Sequence, residues 1–184
     1  RDRYNMSNSK NPVIYWLRED FRIHDNIALT EAAKDNKNLI LVYFSNYLDK
    51  QPGSAQEVWI NNSFLEITKK YHEIYGLNIQ CYDGDQIQYL EELYKKFGVS
   101  EIYINEVFDP RTKKKDEKIK KYFRDQIIFK TYNSHLLFNP EEIKNNAGSY
   151  FKVYTPFWRN CLSKLMIRKP LRPPKEINVF QDKR

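Results

Sequence analysis

Residues 13–29 read VIYWLREDFRIHDNIAL, and this run decides the fold. Val13–Leu17 is five apolar residues, the length and character of a strand buried on both faces. Nine residues follow that pack two Arg, three acids and a His into one turn. Within them Asp25-Asn26 offers an N-cap, and Ile27, Leu29, Ala32 and Ala33 suit a short helix. A buried strand, a charged turn and a helix form the opening of a β-α unit.

The same alternation continues outward from this unit. Leu39–Phe44 (LILVYF) is a second apolar strand. Residues 55–75 carry Trp59, Ile60, Phe64, Ile67, Tyr71 and Ile74 at helical spacing, and Gly76 stops the helix. Residues 77–82 read as a strand, Gln86–Phe97 as a helix ended by Gly98, Glu101–Asn105 as a strand, 110–123 as a helix and 127–132 as a fifth strand. Five short strands alternating with helices predict an α/β fold: a Rossmann-like, doubly wound, five-stranded parallel sheet with helices on both faces. Past Tyr132 the regularity fades. Thr155-Pro156 opens one more helix over 155–167, and the prolines of 169–175 (KPLRPPK) exclude a helix interior there. The expected organisation is a disordered extension at 1–11, one domain at 12–168 and a Pro-rich basic linker or tail at 169–184.

Composition bounds the function. The chain has 184 residues, 41% hydrophobic and 15% aromatic, enough for a packed core. No apolar run is long enough for a membrane span, and the two Cys are 80 positions apart, so the expectation is a soluble, cytoplasmic protein without disulfides. The five Gly form neither GxGxxG nor a Walker loop, which argues against ordinary NAD or P-loop chemistry. GxSxG and HExxH are absent too. Cys81 and Cys161 read as small core hydrophobes, His72 as a surface or partly packed residue and His24 as a loop-packing one.

The net charge of +7 is concentrated. Residues 111–121 hold seven basic and two acidic side chains, and 159–184 hold eight and two. The lysines of the first segment fall all around a helix, which favours a solvated helix and at most weak, salt-dependent DNA binding. In a doubly wound sheet a ligand sits beyond the carboxyl ends of the strands, at the loops 18–25, 45–51, 83–86 and 106–112. By chemistry alone the Arg and carboxylates of 18–25 suit a brace pinning the loop to the sheet rim, although paired charges there also suit a ligand.

The residues of that loop carry a resemblance. Trp16, Arg18, Asp20, Phe21, Arg22, Asp25, Asn26, Ala28 and Leu29 closely resemble the opening signature of the DNA photolyase/cryptochrome family. Four further blocks follow in order: LILVYF, Tyr82-Asp83-Gly84-Asp85, Ile102–Asn105 with Phe108-Asp109-Pro110, and 150–158 (YFKVYTPFW). The resemblance covers about residues 12–165 and implies the N-terminal, antenna-type α/β domain of a deoxyribodipyrimidine photolyase. In that family a helical domain holds FAD and splits cyclobutane pyrimidine dimers in DNA by light-driven electron transfer.

The α/β domain carries an optional antenna chromophore, a reduced folate, a deazaflavin or a flavin. The resemblance thus implies a truncated or split chain, inactive alone, whose partner is a helical FAD-binding domain that is missing or separately encoded, and whose contact with DNA comes only through the complete enzyme. A non-catalytic, cryptochrome-type module binding a chromophore or a partner is the alternative. Asp109 occupies the acidic position that contacts the deazaflavin in some members, and Arg18 and Arg111 flank it as further cofactor-binding candidates. Val107 and Glu19 depart from the deazaflavin pattern, and Thr112 from the folate one, so neither antenna class is fully matched. Asp20 and Arg22 are expected to brace the domain.

Overall fold

The structure is a computed structural model that describes residues 11–45, 53–164 and 167–182. Residues 1–10 of the extension expected to be disordered at 1–11, and most of the loop at 45–51, lie outside these residues.

Five strands are present: β1 (Val13–Leu17), β2 (Leu39–Phe44), β3 (Ile79–Tyr82), β4 (Glu101–Asn105) and β5 (Ile128–Tyr132). They form one parallel sheet in the order β3-β2-β1-β4-β5. The helices are α1 (Ile27–Ala32), α2 (Ser54–Tyr75), α3 (Gln86–Phe97), α4 (Pro110–Tyr122) and α5 (Tyr154–Ser163). The expected doubly wound architecture is therefore the observed one.

Side chains alternate across the sheet and build two cores. Val13, Tyr15 and Leu17 of β1 face one side with Leu41 and Tyr103, beneath Leu29 and Ala32 of α1 and Ile67 and Tyr71 of α2. Ile14 and Trp16 face the other with Val42 and Ile104, beneath Leu90 and Leu93 of α3, Ile119 of α4 and Phe123 just past its end. Each fully buried large apolar side chain contributes roughly 1.5–3 kcal/mol, which explains why β1, buried at all five positions, sits in the centre. Asn26, Asp85 and Asp109 each cap a helix by accepting a backbone N–H. Gly76 and Gly98 end α2 and α3 with φ of 64° and 67°, a left-handed turn that glycine adopts without cost.

Four expectations need correction. Cys81 is exposed, because β3 is an edge strand with only partial cover, whereas Cys161 is buried as expected. Trp59 and Ile74 do not join the core: α2 meets the sheet through Ile67 and Tyr71, leaving Trp59 63% exposed. The third concerns the stretch read as a linker, which returns to the domain. Leu171 exchanges backbone and side-chain hydrogen bonds with Asp25 (2.9 and 3.1 Å), and the Tyr75 hydroxyl donates to the Pro174 carbonyl (2.7 Å). Val179 then bridges Leu39 at the start of β2, and Phe180 packs edge-on against Phe97. The prolines exclude a helix, yet the apolar residues Ile177, Val179 and Phe180 still find core to bury against. In addition, α5 ends at Ser163, short of the expected 155–167. Among the described residues no helix is long and apolar enough to cross a membrane.

The strap is latched by Asp25, whose carboxylate accepts from Arg168 and from Leu171 N–H; the Arg168 bond, then the backbone one, hold its pKa below the ordinary value against desolvation. A depressed carboxyl pKa gives stability that is present above the unfolded value of about 4 and lost as pH falls through the folded value. Asp25→Asn is expected to lower the amide protection factors across residues 168–175 at pH 7 and to remove most of their further fall in acid. Hydrogen exchange read by mass spectrometry between pH 3 and 7 checks this.

Candidate functional site

β1 pairs with β2 on one side and β4 on the other, so the chains leaving β1 and β4 turn to opposite faces and a crevice opens between them. The frame of that crevice is a buried polar cluster. Asp20 is 5% exposed and ionised carboxylates only accept. It receives the Arg18 backbone N–H (3.0 Å), the Tyr15 hydroxyl (3.2 Å), the Asn26 amide (3.3 Å) and the Asn105 amide. Asn105, the last residue of β4, accepts from Ala28 N–H (3.2 Å) and Ser134 Oγ (2.7 Å). Asn26 accepts from Asn105 (2.8 Å) and caps α1 through Leu29 N–H (3.1 Å). Arg22 donates to the carbonyls of Asp25 (2.9 Å) and Ser134. Burial and the adjacent Asp20 charge push the Tyr15 hydroxyl well above the ordinary tyrosine range, so it stays a neutral donor.

The three expected cofactor contacts are placed around α4. Arg18 is buried, donates to Asp116 of α4 (2.9 Å) and lies 4.0 Å over the Trp16 ring. Burial lowers its pKa, and the Asp116 charge opposes that shift. Asp109 caps α4, accepting Thr112 N–H (3.0 Å) and Oγ1 (3.1 Å). Arg111 stands exposed on the first turn of the same helix. Asp20 and Arg22 brace the loop, as expected. His24 is exposed rather than packed, and His72 is exposed with Nδ1 3.0 Å from Asn78 Oδ1.

Two open clefts flank the frame, and neither was anticipated residue by residue. One, of about 480 Å³, runs between the 19–22 loop and α2, past Trp59, Asn62, Glu66 and Lys70. The other, of about 360 Å³, is bounded by Ile60, Glu106, Val107, Phe108 and Leu136. Glu19, Trp59 and His135 line both, so the two share one wall. A third, narrow cleft holds Arg18 with Trp16, Tyr43, Phe44 and Val107. The sequence signal for Trp59 was present in the α2 stripe but pointed to core. Volumes of this size, with aromatic walls and a few polar groups, suit a flat organic ligand. Among the described residues no three His, Cys, Asp or Glu side chains group to hold a metal ion.

Comparison with known proteins adds to this geometry. The DNA photolyase family model matches residues 13–176. The chain is 30% identical over 175 residues to the deoxyribodipyrimidine photo-lyase of Agrobacterium fabrum, covering 95% of this chain and 36% of that protein. It is 29% identical over 168 residues to cryptochrome-1 of Arabidopsis thaliana, covering 89% and 25%. The crystal structure of a bacterial class III photolyase from Agrobacterium tumefaciens superposes with a TM-score of 0.90 at 28% identity, covering 98% of this chain and 38% of that one. An archaeal photolyase from Sulfolobus tokodaii shares the fold at a TM-score of 0.75 and 24% identity. The chain thus spans between a quarter and two-fifths of the length of these relatives.

Removing the Asp20 carboxylate takes the acceptor from the Arg18 backbone N–H, from the Tyr15 hydroxyl and from one N–H of the Asn105 amide. Asp20→Ala is expected to destabilise the domain by about 3 kcal/mol or more in urea unfolding. Asp20→Asn keeps the shape but turns an NH₂ toward donors, so a loss of about 2 kcal/mol is expected. A change within about 0.5 kcal/mol for both would mean the cluster does not hold the frame.

Proposed function

The chain belongs to the DNA photolyase family, and from that premise we propose that it is the antenna-type α/β domain of a light-driven DNA-repair photolyase acting on cyclobutane pyrimidine dimers. The observation that carries the reading is the pair of clefts beside the β1–β4 crossing, with Trp59 and His135 in the wall they share. A bound antenna chromophore supplies light absorption and passes the excitation on. The chain's own residues supply shape: Trp59 and Phe108 offer rings for stacking, Glu19, Glu106 and His135 offer polar contacts, and the Asp20 cluster keeps the walls in place. These residues fit a flat heteroaromatic group, whether a reduced folate, a deazaflavin or a flavin.

Of the three contacts expected from the sequence, none lines either of the two clefts, and Arg111 stands exposed on the first turn of α4. Arg18 and Asp109 are assigned the task of holding α4 in register, through Asp116 and the helix cap. FAD and the chemistry of dimer splitting belong, in this reading, to the helical domain of the complete enzyme. The surface of α5 supports such a partner. Tyr154 (70% exposed), Trp158 (41%) and Leu162 (47%) form an apolar face around the one buried residue of the helix, Cys161. The same face favours the second reading, a cryptochrome-type module that binds a partner without catalysing repair, which accords with the likeness to cryptochrome-1.

Titration of the purified chain with a reduced folate, a deazaflavin and a flavin in turn, read by Trp fluorescence and near-ultraviolet absorbance, is the test. One of the three is expected to bind and quench, and Trp59→Ala to weaken it about 10-fold, the loss of one stacked ring. Failure of all three to bind overturns the antenna role. The chain alone is expected to leave cyclobutane dimers unrepaired under blue light, and repair without added protein overturns the assignment of chemistry to the helical domain.

A further inference from the structure

Glu19 lines all three clefts, so it stands where they meet. Glu106 lines the cleft of about 360 Å³ with it, half-buried where Glu19 is exposed. Among the described residues neither carboxylate has a hydrogen-bond donor or a cation against it, and no Lys or Arg lines that cleft. The cations of the neighbouring clefts are engaged or balanced. Arg18 donates to Asp116 (2.9 Å) and Arg22 to the carbonyls of Asp25 (2.9 Å) and Ser134. Lys70 stands one turn from Glu66 on the α2 wall. The chain carries a net charge of +7, yet the walls of this site are negative.

We propose that this site takes an uncharged heteroaromatic ring and rejects the same ring when it bears an anionic tail, with Glu19 and Glu106 setting the choice. The choice rests on the antenna reading given above, since it presumes that a ring occupies the cleft. A half-buried carboxylate without a donor is costly, and the ring N–H groups that flavins, deazaflavins and pterins share supply one. The same charges repel a phosphate or carboxylate held near them. A cleft of this size is filled by the ring, which leaves a tail at its mouth. A tail that continues into either neighbouring cleft passes Glu19. At 0.15 M salt charges act over about 8 Å, so the lining groups outweigh lysines elsewhere on the chain. Attraction for the ring edge and repulsion of the tail are two routes to specificity acting together.

The test is titration of the full chain with three matched pairs, read by Trp fluorescence: riboflavin and FMN, the 5-deaza forms of both, and tetrahydrofolate dimethyl ester and tetrahydrofolate. For whichever ring binds, the uncharged member is expected to bind about 10-fold tighter at 0.1 M salt. The ratio is expected to fall to about twofold at 1 M, as the screening length drops from about 10 Å to about 3 Å. Glu19→Gln with Glu106→Gln is expected to bring the ratio within about twofold at 0.1 M salt, whatever it does to the ring itself. Glu19→Gln alone, at an exposed side chain, is the second variant and is expected to leave about a fourfold ratio. Glu73→Gln with Glu92→Gln removes the same charge from exposed positions on α2 and α3 that line no cleft, and is expected to keep the full ratio. Equal affinity for both members, or a ratio that neither salt nor the double variant moves, overturns the proposal and leaves the antenna reading standing. So does tighter binding of the anionic member, and its loss in Arg111→Gln would assign the tail to Arg111. Failure of every ring to bind overturns the antenna reading and this choice with it.

Discussion

The carboxylate of Asp20 is the point on which the rest depends. At a place where strands β1 and β4 part, four donors from a loop, two strands and a helix cap converge on its two oxygens. A neutral amide would face donor with donor, and an apolar residue would leave several buried groups unsatisfied at once. The cluster also does more than close a gap. By tying Asn26 to Asn105 it sets where α1 begins relative to the end of β4, and so fixes the floor between the two clefts. Arg22 extends the tie to the Ser134 carbonyl beyond β5. The crevice therefore stands on ordered polar contacts rather than on loop packing.

A second buried tie, Arg18 to Asp116, acts on the other face of the sheet. Two charges withdrawn from water gain from each other only in good geometry, and the gain over an apolar pair is small. What the pair supplies is position: it holds α4 against Trp16, and the guanidinium lies over the indole ring. It has an outward consequence as well. With Asp116 facing inward, Glu117 is the one acid that α4 shows the solvent among its lysines. One interaction therefore sets the register of a helix inside and the sign of the field outside.

The sheet was readable in the sequence because its centre has no choice. β1, β2 and β4 are covered on both faces, so nearly every residue is apolar and the run marks the strand. Helix ends were readable where a local side chain or a glycine sets them, as at Asn26, Gly76 and Gly98. Three features were not. Cys81 sits on an edge strand, and edge position is a property of strand order, not of the residues of the strand. Trp59 shares the helical spacing of Ile67 and Tyr71, yet α2 extends past the sheet, so the same stripe is core at one end and cleft wall at the other. The strap at 171–182 lacks any periodic pattern, and its docking depends on single contacts such as Tyr75 with Pro174 that only the fold brings together.

The same contrast explains why the family was easier to recognise than the ligand. The residues that match the family signature, Arg18, Asp20, Arg22, Asp25 and Asn26, are the ones the structure uses in buried or latching bonds, where few other side chains fit. The residues that depart from its antenna patterns stand elsewhere. Glu19 and Val107 line open clefts, where a change of side chain costs the fold little. Thr112 is buried, but it serves the cap of α4 with Asp109, a task independent of any chromophore. The cleft walls, Glu19, Trp59, Glu106, Phe108 and His135, are thus the part that can change without unfolding the domain, and the signature loop holds those residues in place.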